Sequence, residues 1–132
     1  MNRIKRWLVG ISLAILVVVT ILVLVVSLAM SDLCVNDQLS SSISPNGEYE
    51  AVTFRRNCGA TTPYSIQVSI MPAGSELPNE PGNVVVVRED LAPELRWREP
   101  YKLEVRYPSY VDVGRVDEVP NDVSIIYSPV TE

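Results

Sequence analysis

From Leu8 to Met30 the chain carries no charged residue, and its polar interruptions are limited to Gly10, Ser12, Thr20 and Ser27. A helix crossing the hydrocarbon core needs ~20 predominantly apolar residues, and Leu8 to Ala29 supplies 22 positions, mostly Val, Ile and Leu. So many β-branched residues weaken a helix in water, but in lipid no other local structure satisfies the backbone. Arg3, Lys5 and Arg6 precede the run, and Asp32 and Asp37 follow it. The positive-inside rule then puts residues 1–7 in the cytoplasm, residues 8–30 across the inner or plasma membrane, and the remainder in the periplasm or outside the cell. Trp7 falls at the cytoplasmic headgroup level, and membrane lipid is the first expected partner, through residues 8–29. Ser27-Leu28-Ala29 also fits a signal-peptide cleavage pattern. Signal h-regions run only ~7–15 residues, so a retained anchor is preferred and a cleaved secretory signal is the alternative. A lipid-modified Cys34 is disfavoured, because Asp32 and Leu33 stand where small residues are wanted.

About a hundred of the 132 residues remain after this segment, enough for one small domain. Of 11 Lys and Arg and 16 Asp and Glu, three bases and no acid lie before the apolar run, which leaves the exported part at −8. A domain that acidic repels phosphate backbones, so no nucleic-acid partner is expected. Histidine is absent, which removes the commonest general base and the commonest metal ligand; no metal and no cofactor are expected. Cys34 and Cys58 are the two cysteines of the chain, both on the exported side. In an oxidising compartment they are expected to form a disulfide, contributing roughly 3 kcal/mol by closing their loop. Zinc is a weaker reading, since two thiolates leave a tetrahedral site half empty.

Ser44-Pro45-Asn46-Gly47 is a turn signal, because proline presets φ and Asn-Gly tolerates positive φ. Glu48 to Arg55 then reads as a strand, and residues 57–63 as a loop. Tyr64, Ile66, Val68 and Ile70 alternate with Ser65, Gln67 and Ser69, predicting a strand with one buried and one wet side. Residues 71–82 read as an exposed loop, and Asn83 to Arg88, with four consecutive valines, as a strand covered on both faces. Leu95 to Arg98 and Tyr101 to Tyr107 predict a hairpin across Glu99-Pro100, with Leu95 and Trp97 facing Tyr101, Leu103, Val105 and Tyr107. Val111 to Val116 and Asp122 to Tyr127 complete the set, the last ended by Ser128-Pro129. The expected fold is an all-β exported domain of six to eight short antiparallel strands, a meander or small sandwich, behind one N-terminal transmembrane α-helix. Residues 31–43 are a linker and the first part of that domain, and residues 44–132 the antiparallel β domain itself.

The stretch Ser-Pro-Asn-Gly-Glu-Tyr resembles the opening of a β-propeller blade, but a propeller needs at least about four blades of ~40 residues. A closer resemblance covers most of the exported part. Cys34, Ser44 to Gly47, the run Ala51 to Thr62 with its Cys-Gly-Ala-Thr-Thr block at 58–62, Ser65 to Ile70, and Leu77-Pro78-Asn79-Glu80 with Gly82-Asn83-Val84 together are similar to a family of small uncharacterised bacterial domains. That family usually follows a signal peptide or one membrane segment. The resemblance implies the fold, the compartment and support for the Cys34–Cys58 pair; it implies no activity.

Two surfaces are candidate contacts. Gly59, Ala60, Thr61 and Thr62 form a loop that could hold an anion or sugar through backbone N–H groups and hydroxyls; the bland alternative is turn chemistry around the disulfide. Arg96, Arg98, Lys102 and Arg106 form a basic outward face on the hairpin, interrupted by Glu104. It could meet anionic lipid, a cell-wall polymer or an acidic protein, or simply be a solvated face paired with Glu94, Glu99 and Glu104. No catalytic residue is expected: the acid pairs Glu48/Glu50, Glu89/Asp90 and Asp117/Glu118 sit by turns or in strands, and Lys102 lacks a Ser-x-x-Lys partner. The expected function is a non-enzymatic, membrane-tethered binding module of the cell envelope, whose partner is an envelope protein or polymer. A small envelope hydrolase or ligand sensor, and an immunity- or exclusion-type membrane protein, are the alternatives.

Overall fold

The computed structural model describes residues 2–31 and 33–131, without the side chains of residues 30 and 31. Asp32, one of the acids used to orient the apolar segment, lies outside the described residues. The chain divides into two units, one ending at Leu33 and one beginning at Cys34.

The first unit is a single helix, α1 (Asn2–Ser31), of 30 residues. At about 1.5 Å per residue it is ~45 Å long. Within Asn2–Ala29 its most apolar stretch of 18 residues has a mean hydropathy of 3.2 and is fully exposed. The helix is long and apolar enough to cross a membrane. The helix also takes in the basic residues that the sequence placed ahead of it, because nothing between Asn2 and Trp7 breaks a helix.

The second unit holds eight strands among the described residues: β1 (Val35–Ile43), β2 (Tyr49–Asn57), β3 (Ser65–Pro72), β4 (Val85–Val87), β5 (Glu94–Glu99), β6 (Lys102–Pro108), β7 (Val113–Arg115) and β8 (Ser124–Val130). They form a five-stranded sheet in the order β1-β2-β3-β4-β7 and a three-stranded sheet in the order β5-β6-β8. The mostly antiparallel, all-β expectation holds, with one helix ahead of it. Ala51, Val68, Ile70, Val84 and Val85 of the larger sheet and its flanks pack with Leu103, Val105, Tyr107 and Val123, half-buried Leu95 and Trp97 closing over them. The facing pairs of the hairpin are Leu95 with Val105 and Trp97 with Leu103.

Several expectations need correction. Within residues 31–43, expected as linker and first part of the domain, Val35–Ile43 is strand β1, which pairs with β2 along its length, with a bulge between Gln38 and Ser40. The pairing of β6 with β8 is parallel, because the chain leaves the smaller sheet after β6, adds β7 to the edge of the larger one, and returns. Pro129 does not end the last strand: β8 is an edge strand, where the missing N–H takes nothing from the ladder. Tyr101 is 38% exposed at the hairpin turn and does not join the inward set. Between Val111 and Val116, only Val113–Arg115 is strand.

The largest departure is at β3. Gln67 and Ser69, expected to be wet, are 6% and 7% exposed. The segment between β3 and β4 lies over that face. Gly82 donates its backbone N–H to Gln67 Oε1 at 2.7 Å, and Asn83 donates to Ser69 Oγ at 3.3 Å. The Asn83 amide accepts from the Ile70 N–H at 2.8 Å and donates to the Ile70 carbonyl at 2.9 Å, continuing the ladder by side chain. A Cβ at position 82 would stand 2.7 Å from the Val68 carbonyl, so the close approach requires glycine. Beneath the same covering, Leu77 packs on Val52, Phe54 and Met71 as a second apolar cluster. Alternation along β3 is real, but both faces are covered: one by side chains of the other sheet, the other by a polar-anchored loop.

Candidate functional site

Cys34 and Cys58 form a disulfide, with Cα atoms 3.9 Å apart. The register that pairs Val35 with Asn57 brings the two cysteines opposite each other at the open end of the β1–β2 hairpin. Asn79 donates to the Cys34 carbonyl at 2.6 Å, and the Asn36 amide donates to the carbonyls of Pro78 and Glu80 at 2.9 and 2.8 Å. Arg56 donates to Asn36 Oδ1 at 2.8 Å. These bonds gather residues from Cys34 to Asn83 around one covering loop. Their role here is to fasten that loop to β1, with Arg56 of β2 behind Asn36.

Directly after the disulfide, Gly59 takes φ +107°, a backbone conformation that side chains rarely adopt. Its N–H donates to Asn57 Oδ1 at 3.1 Å, and the Thr62 N–H donates to the Gly59 carbonyl at 3.3 Å. Ala60, Thr61 and Thr62 are exposed. Turn chemistry is therefore supplied by Asn57 and the backbone. Among the described residues neither threonine hydroxyl has a hydrogen-bond partner. The loop is anchored at its base and carries two unengaged hydroxyls at its tip.

The hairpin face is different. Arg96 donates to Glu94 Oε1 at 2.6 and 2.8 Å, and Arg106 to Glu94 Oε2 at 3.3 Å. Arg98 donates to Glu104 Oε2 at 2.7 Å and Lys102 to Glu99 at 2.7 Å. All four cations that formed the candidate basic face thus have a carboxylate partner. Glu104 is only 9% exposed, and it accepts from Ser128 Oγ at 2.8 Å. That hydroxyl and the Arg98 guanidinium outweigh burial and hold the Glu104 carboxyl below its ordinary value. The face is an internally neutralised ladder, in which exposed pairs each contribute at most about 1 kcal/mol.

One cluster was not read from the sequence. At the opposite end of β2, Tyr49 donates to both carboxylate oxygens of Asp122 at 3.0 and 3.1 Å. Tyr101 donates to Glu48 Oε2 at 2.7 Å, and the two rings meet edge to face with centroids 6.3 Å apart. Those hydrogen bonds to carboxylates raise both phenol pKa values. Tyr127 makes a comparable tie, donating to the Val84 carbonyl at 3.0 Å and Asp117 at 2.5 Å, with the Arg115 guanidinium 4.3 Å from its ring centre. Burial first, then Asp117, pushes its hydroxyl pKa well up. Each tyrosine joins elements of the two sheets, and no local sequence pattern marks them, because their partners come from separate turns. No group of three His, Cys, Asp or Glu among the described residues is placed to hold a metal ion.

Fold and site together define a small two-sheet β domain, disulfide-closed, behind one apolar helix. The chain belongs to DUF5412, a family of unknown function, whose family model matches residues 3–106. The match covers the helix and the strands through most of β6. No curated protein and no solved structure matches the chain.

Proposed function

We propose that the protein is a membrane-tethered, exported binding module of the cell envelope that contacts an envelope protein or polymer through the loop 59–62 and carries out no catalysis. In this reading α1 spans the inner or plasma membrane with Arg3, Lys5 and Arg6 on the cytoplasmic side, and residues 34–132 lie in the periplasm or outside the cell. A disulfide fits such an oxidising compartment.

The observation that carries the reading is the loop itself. Thr61 and Thr62 present hydroxyls without a partner among the described residues, from a segment held by Gly59, Asn57 and the Cys34–Cys58 bridge. A preheld loop loses little freedom on binding, which favours recognition. The charged groups support it from the other direction. The hairpin cations and the acids beside them are bonded to one another, and Glu48 and Asp122 are engaged by tyrosines.

The test is photo-crosslinking in intact cells from a reactive residue placed at position 62, with the same residue at position 96 as comparison. A discrete adduct from position 62 that is lost in Thr61→Ala, while the domain's thermal unfolding is unchanged, is the expected result; replacement of an exposed hydroxyl shifts stability by no more than ~0.5 kcal/mol. An adduct from position 96 that Arg96→Glu with Arg98→Glu abolishes, with none from position 62, transfers the contact to the hairpin and refutes the loop assignment.

A further inference from the structure

The residues at the start of α1 share one face. Arg3, Arg6, Trp7, Gly10, Ile11 and Ala14 line a common surface notch, as positions spaced by three, four, seven, eight and eleven must on a helix of 3.6 residues per turn. Gly10 contributes no side chain to the notch, and the space where its Cβ would stand is open. Trp7 is 73% exposed at its rim. Neither guanidinium has an ion-pair partner among the described residues, in contrast to the four paired cations of the hairpin. Lys5 lines an adjoining depression with Arg6, Val9 and Gly10.

We infer that this notch is a binding site for one anionic glycerophospholipid, its phosphodiester between Arg3 and Arg6 and one acyl chain along Gly10 and Ala14. The donors are side chains. A guanidinium offers a planar fork of N–H groups matched to phosphate oxygens, and its stem reaches from an apolar depth to the headgroup level. Arg3 and Gly10 are separated by about 10 Å along the axis, which sets the phosphate at the interface when Gly10 lies in the hydrocarbon. Trp7 sits between them, where an indole has an apolar body for the chain and an N–H for the headgroup region. The absence of a side chain at position 10 leaves room for an acyl chain that a leucine would fill. Diffuse attraction of any basic helix to anionic lipid would treat Arg3, Lys5 and Arg6 alike, whereas the notch at Trp7 takes in Arg3 and Arg6 and not Lys5.

This inference rests on the membrane-spanning reading of α1, and the experiment separates the two. The full chain is reconstituted into phosphatidylcholine bilayers containing either brominated phosphatidylglycerol or brominated phosphatidylcholine at equal mole fraction. Bromine quenching of Trp7 is read against a Trp7→Phe protein as the blank for Trp97. The expected result is enrichment of the anionic quencher at Trp7 by roughly fivefold, the scale of one charge contact at a membrane surface. It falls towards parity in Arg3→Gln with Arg6→Gln and in Gly10→Leu, and persists in Lys5→Gln. Quenching by neither lipid would remove the membrane reading and this site with it. Equal quenching by both, or equal losses from all three basic positions, would overturn the site alone. Loss of the preference when chloride is exchanged for phosphate at matched ionic strength would assign the notch to a free anion and overturn the lipid assignment.

Discussion

At the end of the sandwich where β2 begins, Tyr49 and Tyr101 reach between the sheets and bond to Asp122 and Glu48; where β2 stops, the Cys34–Cys58 bridge closes a hairpin within one sheet and leaves Thr61 and Thr62 open. The first end uses its polar groups to hold the two sheets together. The second uses one covalent bond and an asparagine to hold a loop whose own polar groups are unengaged. A chain can keep functional hydroxyls free only where something else supplies the local order. The disulfide and Asn57 do so here, which is why the contact is proposed at this end and not at the tyrosines or the hairpin.

The contrast can be broken most sharply at the bridge. Cys34→Ser with Cys58→Ser is expected to lower unfolding stability by roughly 3 kcal/mol, measured by urea denaturation of the β domain in the full-length chain. The loop 59–62 should also become the first site of limited proteolysis. A loss confined to the loop, with unchanged global stability, would mean that Asn36 and Asn79 already hold that end. Asn83→Ala comes next. It strips the Ile70 N–H and carbonyl of their partners and should cost ~2 kcal/mol, while hydrogen exchange quickens at Ile70 and in the covering loop. The paired change Tyr49→Phe with Tyr101→Phe is expected to cost less than either, because both hydroxyls are near solvent; urea midpoints measure it. Their raised pKa values predict that ultraviolet titration of the tyrosinate finds both groups ionising above free tyrosine, and that Asp122→Asn brings Tyr49 down.

The smallest effect concerns Glu104. Its folded-state pKa lies below the unfolded one, so its contribution is present at neutral pH and is lost as pH falls through the folded value. Stability should therefore decline with acidification by a component that Glu104→Gln removes and Ser128→Ala weakens. Denaturation midpoints across the acidic range measure it. A pH slope unaffected by both substitutions would show that the hairpin ladder is not coupled to folding.

How much of this was legible beforehand differs between regions for physical reasons. The helix was readable because 22 uncharged residues admit one backbone solution in lipid, although its start at Asn2 was not, since basic residues continue a helix as readily as apolar ones. The Leu95/Val105 and Trp97/Leu103 pairs followed from period-two alternation. The same rule failed at Gln67 and Ser69, because alternation tells which residues share a face and not what covers it. The candidate basic face was visible as a pattern of positive charge. Its pairing with Glu94, Glu99 and Glu104 was legible too, as the solvated-face alternative; the Ser128 hydroxyl on Glu104 was not, because the two meet only through the parallel β6–β8 pairing.

The sequence alone settled the elements whose cause is local: the apolar helix, the Pro-Asn-Gly turn with Gly47 at φ +75°, the alternating strands and a cysteine pair. Tertiary structure decided which polar groups are engaged and which are open, including the tyrosine ties, the Gly82–Asn83 anchor and the bare hydroxyls at 61 and 62. Periodicity and propensity act over a few neighbouring residues, whereas a hydrogen-bond partner drawn from a turn decades of residues away is chosen by how the sheets stack.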